Sequence, residues 1–116
     1  MSEQQGKNLL ELIPVRIQDF EMNGEKVIIL LPKFRSGFGK RFIQPRLKTK
    51  HFRIELDEIG SAFWQEIDGK QNVMQIASVL QNRFGDRIAP VYDRLTLFIA
   101  NMVDGDMIRL EDPHDA

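Results

Sequence analysis

Apolar and polar residues change period near the middle of this chain: short strand-like runs come first, and helical stripes follow. Leu9, Leu10, Leu12 and Ile13 form a short apolar cluster ended by Pro14, which predicts one helical turn lying on the domain like a lid. Residues 15–21 read as a strand, although the alternation of Val15 and Ile17 slips at Phe20. A bulge near Asp19 accounts for a slip of that kind. Asn23-Gly24 follows, and both residues accept positive φ, so a hairpin is expected there. Residues 26–31 are continuously apolar after Lys26, as in a central strand, and Pro32 ends the run because proline cannot donate to a ladder. Residues 51–56 alternate cleanly, with Phe52, Ile54 and Leu56 on one face and His51, Arg53 and Glu55 on the other.

Three helices are then expected, each with its own punctuation. Asp57 is a good N-cap for a helix whose apolar face is Ile59, Ala62, Phe63 and Ile67, with Gly69 as its stop. Asn72 and Gln75 have capping-box spacing ahead of the stripe Val73, Ile76, Ala77, Leu80 and Phe84, which Gly85 ends. A third helix starts near Ala89-Pro90, carries Val91, Tyr92, Leu95, Phe98, Ile99, Met102 and Val103, and stops at Gly105. Residues 107–110 have the pattern of a last short strand. The fold class expected is α+β: a three-stranded antiparallel sheet, then a three-helix bundle, in the order of a winged helix-turn-helix. Phe63, Ile67, Ile76, Leu80, Phe84, Leu95, Phe98 and Ile99 are the expected core.

At 116 residues the chain fits one domain, read as 9–110 between polar tails at 1–8 and 111–116. There are no cysteines, which excludes disulfides and thiolate metal sites. No apolar run approaches the ~20 residues that cross a bilayer, and residues 1–8 lack the order of a secretion signal, so a cytoplasmic location is expected. The net charge of −1 hides an asymmetry. Lys26, Lys33, Arg35, Lys40, Arg41, Arg46, Lys48, Lys50 and Arg53 fall in a stretch with no acid, while the remainder sets seven cations against all 17 acids, a net of −10. Most of that basic charge lies in residues 33–50, where Gly37, Gly39 and Pro45 oppose the helix that the spacing of Phe34, Phe38 and Phe42 would suit.

Catalytic chemistry finds no constellation here. His51 sits in a strand and His114 in the tail, and Ser61 and Ser78 lie on amphipathic helices with no histidine nearby in sequence. The run Ser36-Gly37-Phe38-Gly39-Lys40 lacks Walker spacing, and Arg41 stands where Ser or Thr should follow the lysine. No cofactor or metal is called for. The third helix exposes Asp93, Arg94, Thr96, Asn101 and Asp104, a face whose acids would repel phosphates. Any nucleic-acid contact would therefore fall to residues 33–53.

The helical half resembles the PqqD family. The residues that carry the likeness run from Leu56-Asp57-Glu58-Ile59-Gly60-Ser61-Ala62-Phe63-Trp64 through Ile67-Asp68-Gly69, Val73-Met74-Gln75-Ile76-Ala77 and Arg83-Phe84-Gly85. The likeness covers roughly residues 52–110. It implies a small winged-helix peptide recognition element, which holds the leader of a ribosomally made precursor peptide and presents it to a modifying enzyme, often of the radical-SAM type. By that resemblance the leader adds as a strand along His51, Phe52, Arg53, Ile54 and Glu55. Tyr92, Leu95, Thr96, Ile99 and Met102 would form the helix wall of its cleft. Most of that wall should be core, with only the cleft-facing members touching a peptide. Short members pass almost directly from the second strand to the third, whereas here residues 33–50 intervene. That departure bears on which peptide pathway is served and leaves the peptide-holding role in place.

Two readings follow: a non-catalytic peptide chaperone, or a winged-helix module that binds nucleic acid or an anionic partner through Lys33, Arg35, Lys40, Arg41, Arg46, Lys48 and Lys50. The second makes a direct prediction. Reversing the charges of Lys40, Arg41, Arg46 and Lys48 abolishes polyanion binding and leaves folding intact, and the binding weakens steeply with added salt. A gel-shift series over ionic strength reads this out, and an absence of binding even at low salt removes the second reading.

Overall fold

The computed structural model describes residues 8–32 and 51–114. Its architecture is α+β. Strands β1 (Ile13–Arg16), β2 (Asp19–Asn23), β3 (Lys26–Pro32) and β4 (His51–Glu55) precede helices α1 (Glu58–Glu66), α2 (Val73–Phe84) and α3 (Val91–Asp104), and β5 (Ile108–Glu111) closes the order. β2, β3 and β4 form an antiparallel sheet with β3 in the middle, as its apolar run requires. The hairpin turns at Gly24, whose φ of +65° is open to glycine without strain. Register puts Phe20, Ile29 and Ile54 side by side, and Leu31 beside Phe52. Val27, Ile29 and Leu31 are therefore the face the helices cover.

The last rung between β3 and β4 is built from three residues. The Leu56 N–H donates to the Val27 carbonyl at 2.8 Å. The return bond is relayed: the Val27 N–H donates to Ser61 Oγ at 2.8 Å, and Ser61 Oγ donates to the Leu56 carbonyl at 3.2 Å. Ser61 is 1% exposed, so its hydroxyl satisfies two buried backbone groups that water cannot reach. This rung ends β4 and pins α1 under the sheet in one step.

The helix starts are as the sequence predicts. Asp57 Oδ1 accepts from the Gly60 N–H at 2.8 Å, and Asn72 and Gln75 make a reciprocal capping box, each bond 2.8 Å. α1 ends at Glu66, ahead of Gly69; in the turn beyond, Asp68 Oδ1 accepts from the Lys70 and Gln71 N–H groups. Those bonds, Gln71 first, hold the Asp68 carboxyl below its ordinary pKa. Seven of the eight expected core residues are buried, and Phe98 is half-buried against the same cluster. Trp64, outside the expected stripe, is fully buried. Among the described residues its indole N–H has no hydrogen-bond partner, and its ring contacts are with Phe20, which meets it edge-on at 5.8 Å, and with the Arg16 guanidinium at 5.8 Å.

The N-terminal third departs from expectation. Residues 15–21 are not one bulged strand. The chain leaves β1 at Arg16, crosses at Ile17 and Gln18, and enters a different sheet at Asp19. β1 pairs with β5 instead, with Ile13 opposite Glu111 and Arg16 opposite Ile108. Pro14 does not end an element but lies inside β1, where a two-stranded ribbon tolerates a missing donor. The expected turn is a 3-10 turn, Leu9–Glu11, and Asn8 caps it and so belongs to the fold and not to a tail. Leu9 and Leu10 rest on the core, and the Leu12 carbonyl accepts from the Val73 N–H at 2.9 Å, at the start of α2. β5 runs one residue further than expected, into the region read as tail. The basic segment 33–50, with its phenylalanines and every cation in it, lies outside the described residues.

Ser61→Ala removes the relay and strands the Val27 N–H and Leu56 carbonyl in the core. The expected cost is about 1–3 kcal/mol, read from urea unfolding, while Ser78→Ala on the exposed face of α2 costs little.

Candidate functional site

The site starts from the phase of the β4 ladder. In an antiparallel pair, successive residues alternate between pointing their N–H and C=O at the partner and pointing them away. The Leu56–Val27 bond fixes that phase, so Ile54 and Phe52 face β3 with Ile29 and Leu31. Arg53 and Glu55 therefore turn their backbone N–H and C=O outward. Among the described residues no strand lies on that side, because β4 ends the order β2-β3-β4. The side chains alternate in the other direction: His51, Arg53 and Glu55 stand exposed on the face away from the helices. Arg53 reaches across β3 to Glu21 at 2.9 Å, an exposed pair worth little in stability that nonetheless holds its guanidinium over the sheet.

A cleft lies where β4 runs into α1. It measures about 230 Å³ and is lined by Asp57, Ile59, Gly60 and Phe63 from the first helical turns, and by Arg94, Leu95, Leu97, Phe98 and Asn101 from α3. The two walls meet through Phe63 and Phe98, whose rings stand edge to face at 5.3 Å. The approach at Gly60 is close: a Cβ on it would come within 3.1 Å of the Phe98 ring and 3.0 Å of Asp57 Oδ1, so one of them must give by a few tenths of an ångström. Arg94 donates to the Arg87 carbonyl at 2.7 Å, and Arg87 pairs with Glu58 at the head of α1. These contacts bracket the two helices at one end of the cleft. Leu97 is 65% exposed at its mouth, a large apolar side chain left in water.

The residues expected to form the helix wall distribute differently. Leu95, Ile99 and Met102 are core, each 2% exposed, and of these only Leu95 reaches the cleft. Tyr92 is exposed and does not line it. Thr96 belongs to a second groove on the other flank of α3. The members of α3 that line this cleft apart from Leu95 are Arg94, Leu97, Phe98 and Asn101, a set whose 3–4 spacing was present in the sequence without a sign of which flank faced a cleft. Asp93, Arg94, Thr96, Asn101 and Asp104 are all exposed, as expected, and the two acids among them disfavour phosphate contact.

Comparison with known proteins bears on this geometry. A family model described as Coenzyme PQQ synthesis protein D (PqqD) matches residues 48–108, just over half of the chain. The chain belongs to the PqqD family. No curated protein and no solved structure matches it. The matched span begins three residues before β4 and ends at the first residue of β5, so it contains β4 and both walls of the cleft. PqqD membership places the chain among accessory proteins of biosynthesis, which work with a peptide and a biosynthetic enzyme. No helix among the described residues is long and apolar enough to cross a membrane.

Gly60→Ala forces the Phe98 ring outward or breaks the Asp57 cap. The expected result is a loss of about 1–3 kcal/mol in thermal unfolding, with amide and ring shifts of Phe98 and Leu97 that mark a narrowed cleft. A variant that unfolds like the parent with Phe98 unmoved contradicts this reading of the close approach.

Proposed function

We propose that this PqqD protein is a non-catalytic peptide chaperone, a single unit over residues 9–110 with an insertion at 33–50, that holds a precursor leader as an extra strand on β4 and presents it to a modifying enzyme, of the radical-SAM type by family resemblance. One observation carries the reading: the outward N–H and C=O of Arg53 and Glu55 lie on a sheet edge that no strand among the described residues covers, and two residues beyond Glu55 the chain reaches Asp57, which lines a mostly apolar cleft. Main-chain bonds along such an edge supply affinity for any extended peptide, and alternate side chains entering a pocket supply selectivity. Natural proteins protect open edges, so an edge left with exposed Phe52 beside it and Leu97 at the cleft mouth is suited to a ligand strand. The cleft is mostly apolar, and its polar groups are Asp57, Arg94 and Asn101. It suits one aliphatic or aromatic leader side chain, with a polar neighbour at the rim. Because Glu21 holds Arg53, any preference for an acidic leader falls to the cations of residues 33–50.

The test uses a synthetic leader from the precursor gene of the same cluster. On titration, amide shifts are expected along 51–56 and at Arg94, Leu97, Phe98 and Asn101. Arg53→Pro deletes one outward donor without touching a bond to β3, so the fold survives and affinity falls about two- to ten-fold. Leu97→Glu lowers affinity by roughly ten-fold. Shifts confined to the Asp93, Thr96 and Ala100 side of α3 would show that the leader does not bind this edge.

A further inference from the structure

On the opposite flank of α3 lies a second and larger groove, about 530 Å³, between that helix, β5 and the 3-10 turn. Ile99 and Ile108 form its floor, and Leu9, Ile17, Val103 and Leu110 its partly exposed walls. Its charge is one-sided. Asp104 and Asp106 line it at the C-terminal end of α3, where the helix dipole is already negative and the last turn carries no basic residue. Among the described residues the single cation in its lining is Arg109, which pairs with Glu111 at 2.7 Å. An apolar groove with this rim fits a segment that alternates cations with large apolar side chains. The chain itself contains one: residues 33–50 hold seven cations and no acid, with Phe34, Phe38 and Phe42 at every fourth position.

We propose that this groove receives the basic segment 33–50 of a second copy of the chain. The overall charge of −1 divides into a basic stretch and a body of −10, so two copies are complementary where one basic stretch meets the other's acidic flank. Reciprocal insertion satisfies both grooves and closes as a twofold pair. The groove shares no lining residue with the leader cleft, so the two sites can be tested separately, although both readings draw on the cations of residues 33–50.

The experiment takes the full chain. Sedimentation at low salt gives a monomer–dimer equilibrium that shifts to monomer near ~0.5 M salt. Asp104→Asn with Asp106→Asn weakens the dimer roughly ten-fold, with asparagine chosen because Asp106 has a φ of 62° that it also tolerates. Ala100→Trp, at an exposed position lining the groove, blocks dimerisation and leaves the circular dichroism unchanged. A synthetic peptide of residues 33–50 shifts the amides of Thr96, Ala100, Val103 and Leu110. A chain that stays monomeric, or peptide shifts that fall on β4 and the leader cleft, overturns the proposal. So does a monomer whose groove resonances respond when Phe34, Phe38 and Phe42 are replaced by serine, since the segment would then occupy its own groove.

Discussion

The Ser61 hydroxyl sits where the sheet becomes helix, and the rest of the structure depends on that joint. A strand that runs straight into a helix must end its ladder somewhere, and the last rung leaves buried backbone groups without partners. Here the hydroxyl from the first turn of α1 enters the rung, so the helix that interrupts the ladder also completes it. Two consequences follow. The phase of β4 is fixed from its C-terminal end, which turns Arg53 and Glu55 outward whatever happens at the His51 end. α1 is also held close under β3, with Ala62, Phe63 and Trp64 buried in succession. A larger side chain than serine would push the helix away, and a smaller apolar one would leave the rung open.

The second structural device is the N-terminal segment, which ties the helical half together from outside. Residues 8–17 cap α2 through the Leu12 carbonyl, pair with β5, and pass the Ile17 N–H to the Met107 carbonyl at 3.1 Å. Gln18 adds a bond from Nε2 to the Asp106 carbonyl at 2.8 Å. The chain then enters the main sheet. One stretch of sequence therefore serves two sheets, and the crossing at Ile17 and Gln18 leaves Ile17 40% exposed beside the groove of α3.

That crossing explains where the sequence misled. Alternation reports which face a residue occupies in one sheet, and when a strand changes sheets the parity resets. A slip from Val15 and Ile17 to Phe20 looks the same for a bulge and for a sheet change, and only the partner, β5 at the far end of the chain, distinguishes them. Signals that are local fared well at the helix starts: the Asp57 cap and the Asn72–Gln75 box each depend on neighbours within four residues. The hairpin falls one residue later than Asn23-Gly24, at Gly24 and Glu25, with Asn23 in β2 opposite Lys26, and β4 forms where the alternation puts it but leaves Phe52 exposed on the face expected to be buried. The place of β4 at the end of the described sheet order followed from the order of the strands. The helix wall of the cleft was not, because a stripe on α3 identifies the buried face and is silent on which flank borders a groove. Trp64 was missed for a related reason: the side of α1 it occupies is covered by Phe20 of β2, a neighbour distant in sequence.

α3 is best understood as a partition with three faces. Leu95, Ile99 and Met102 bind it to the core. Arg94, Leu97, Phe98 and Asn101 face the cleft shared with α1, and Thr96, Ala100 and Val103 face the groove beside β5. A 14-residue helix supports this division because 3.6 residues per turn rotates each face back into register within four positions. The two flanks share no exposed residue, so occupation of one does not block the other by contact. Any coupling between them must pass through the helix itself. Leu95 lines one cleft and Ile99 the other, and they stand one turn apart on the buried face, so a shift of α3 along its axis moves both walls together. The bracket from Arg94 through Arg87 to Glu58 opposes such a shift at the N-terminal end. At the C-terminal end the Gly105 N–H donates back to the Asn101 carbonyl at 3.0 Å, and the chain turns at once into β5. The axial shift that would couple the two walls is thus opposed at the N-terminal end by that bracket and at the C-terminal end by the pairing of β5 with β1.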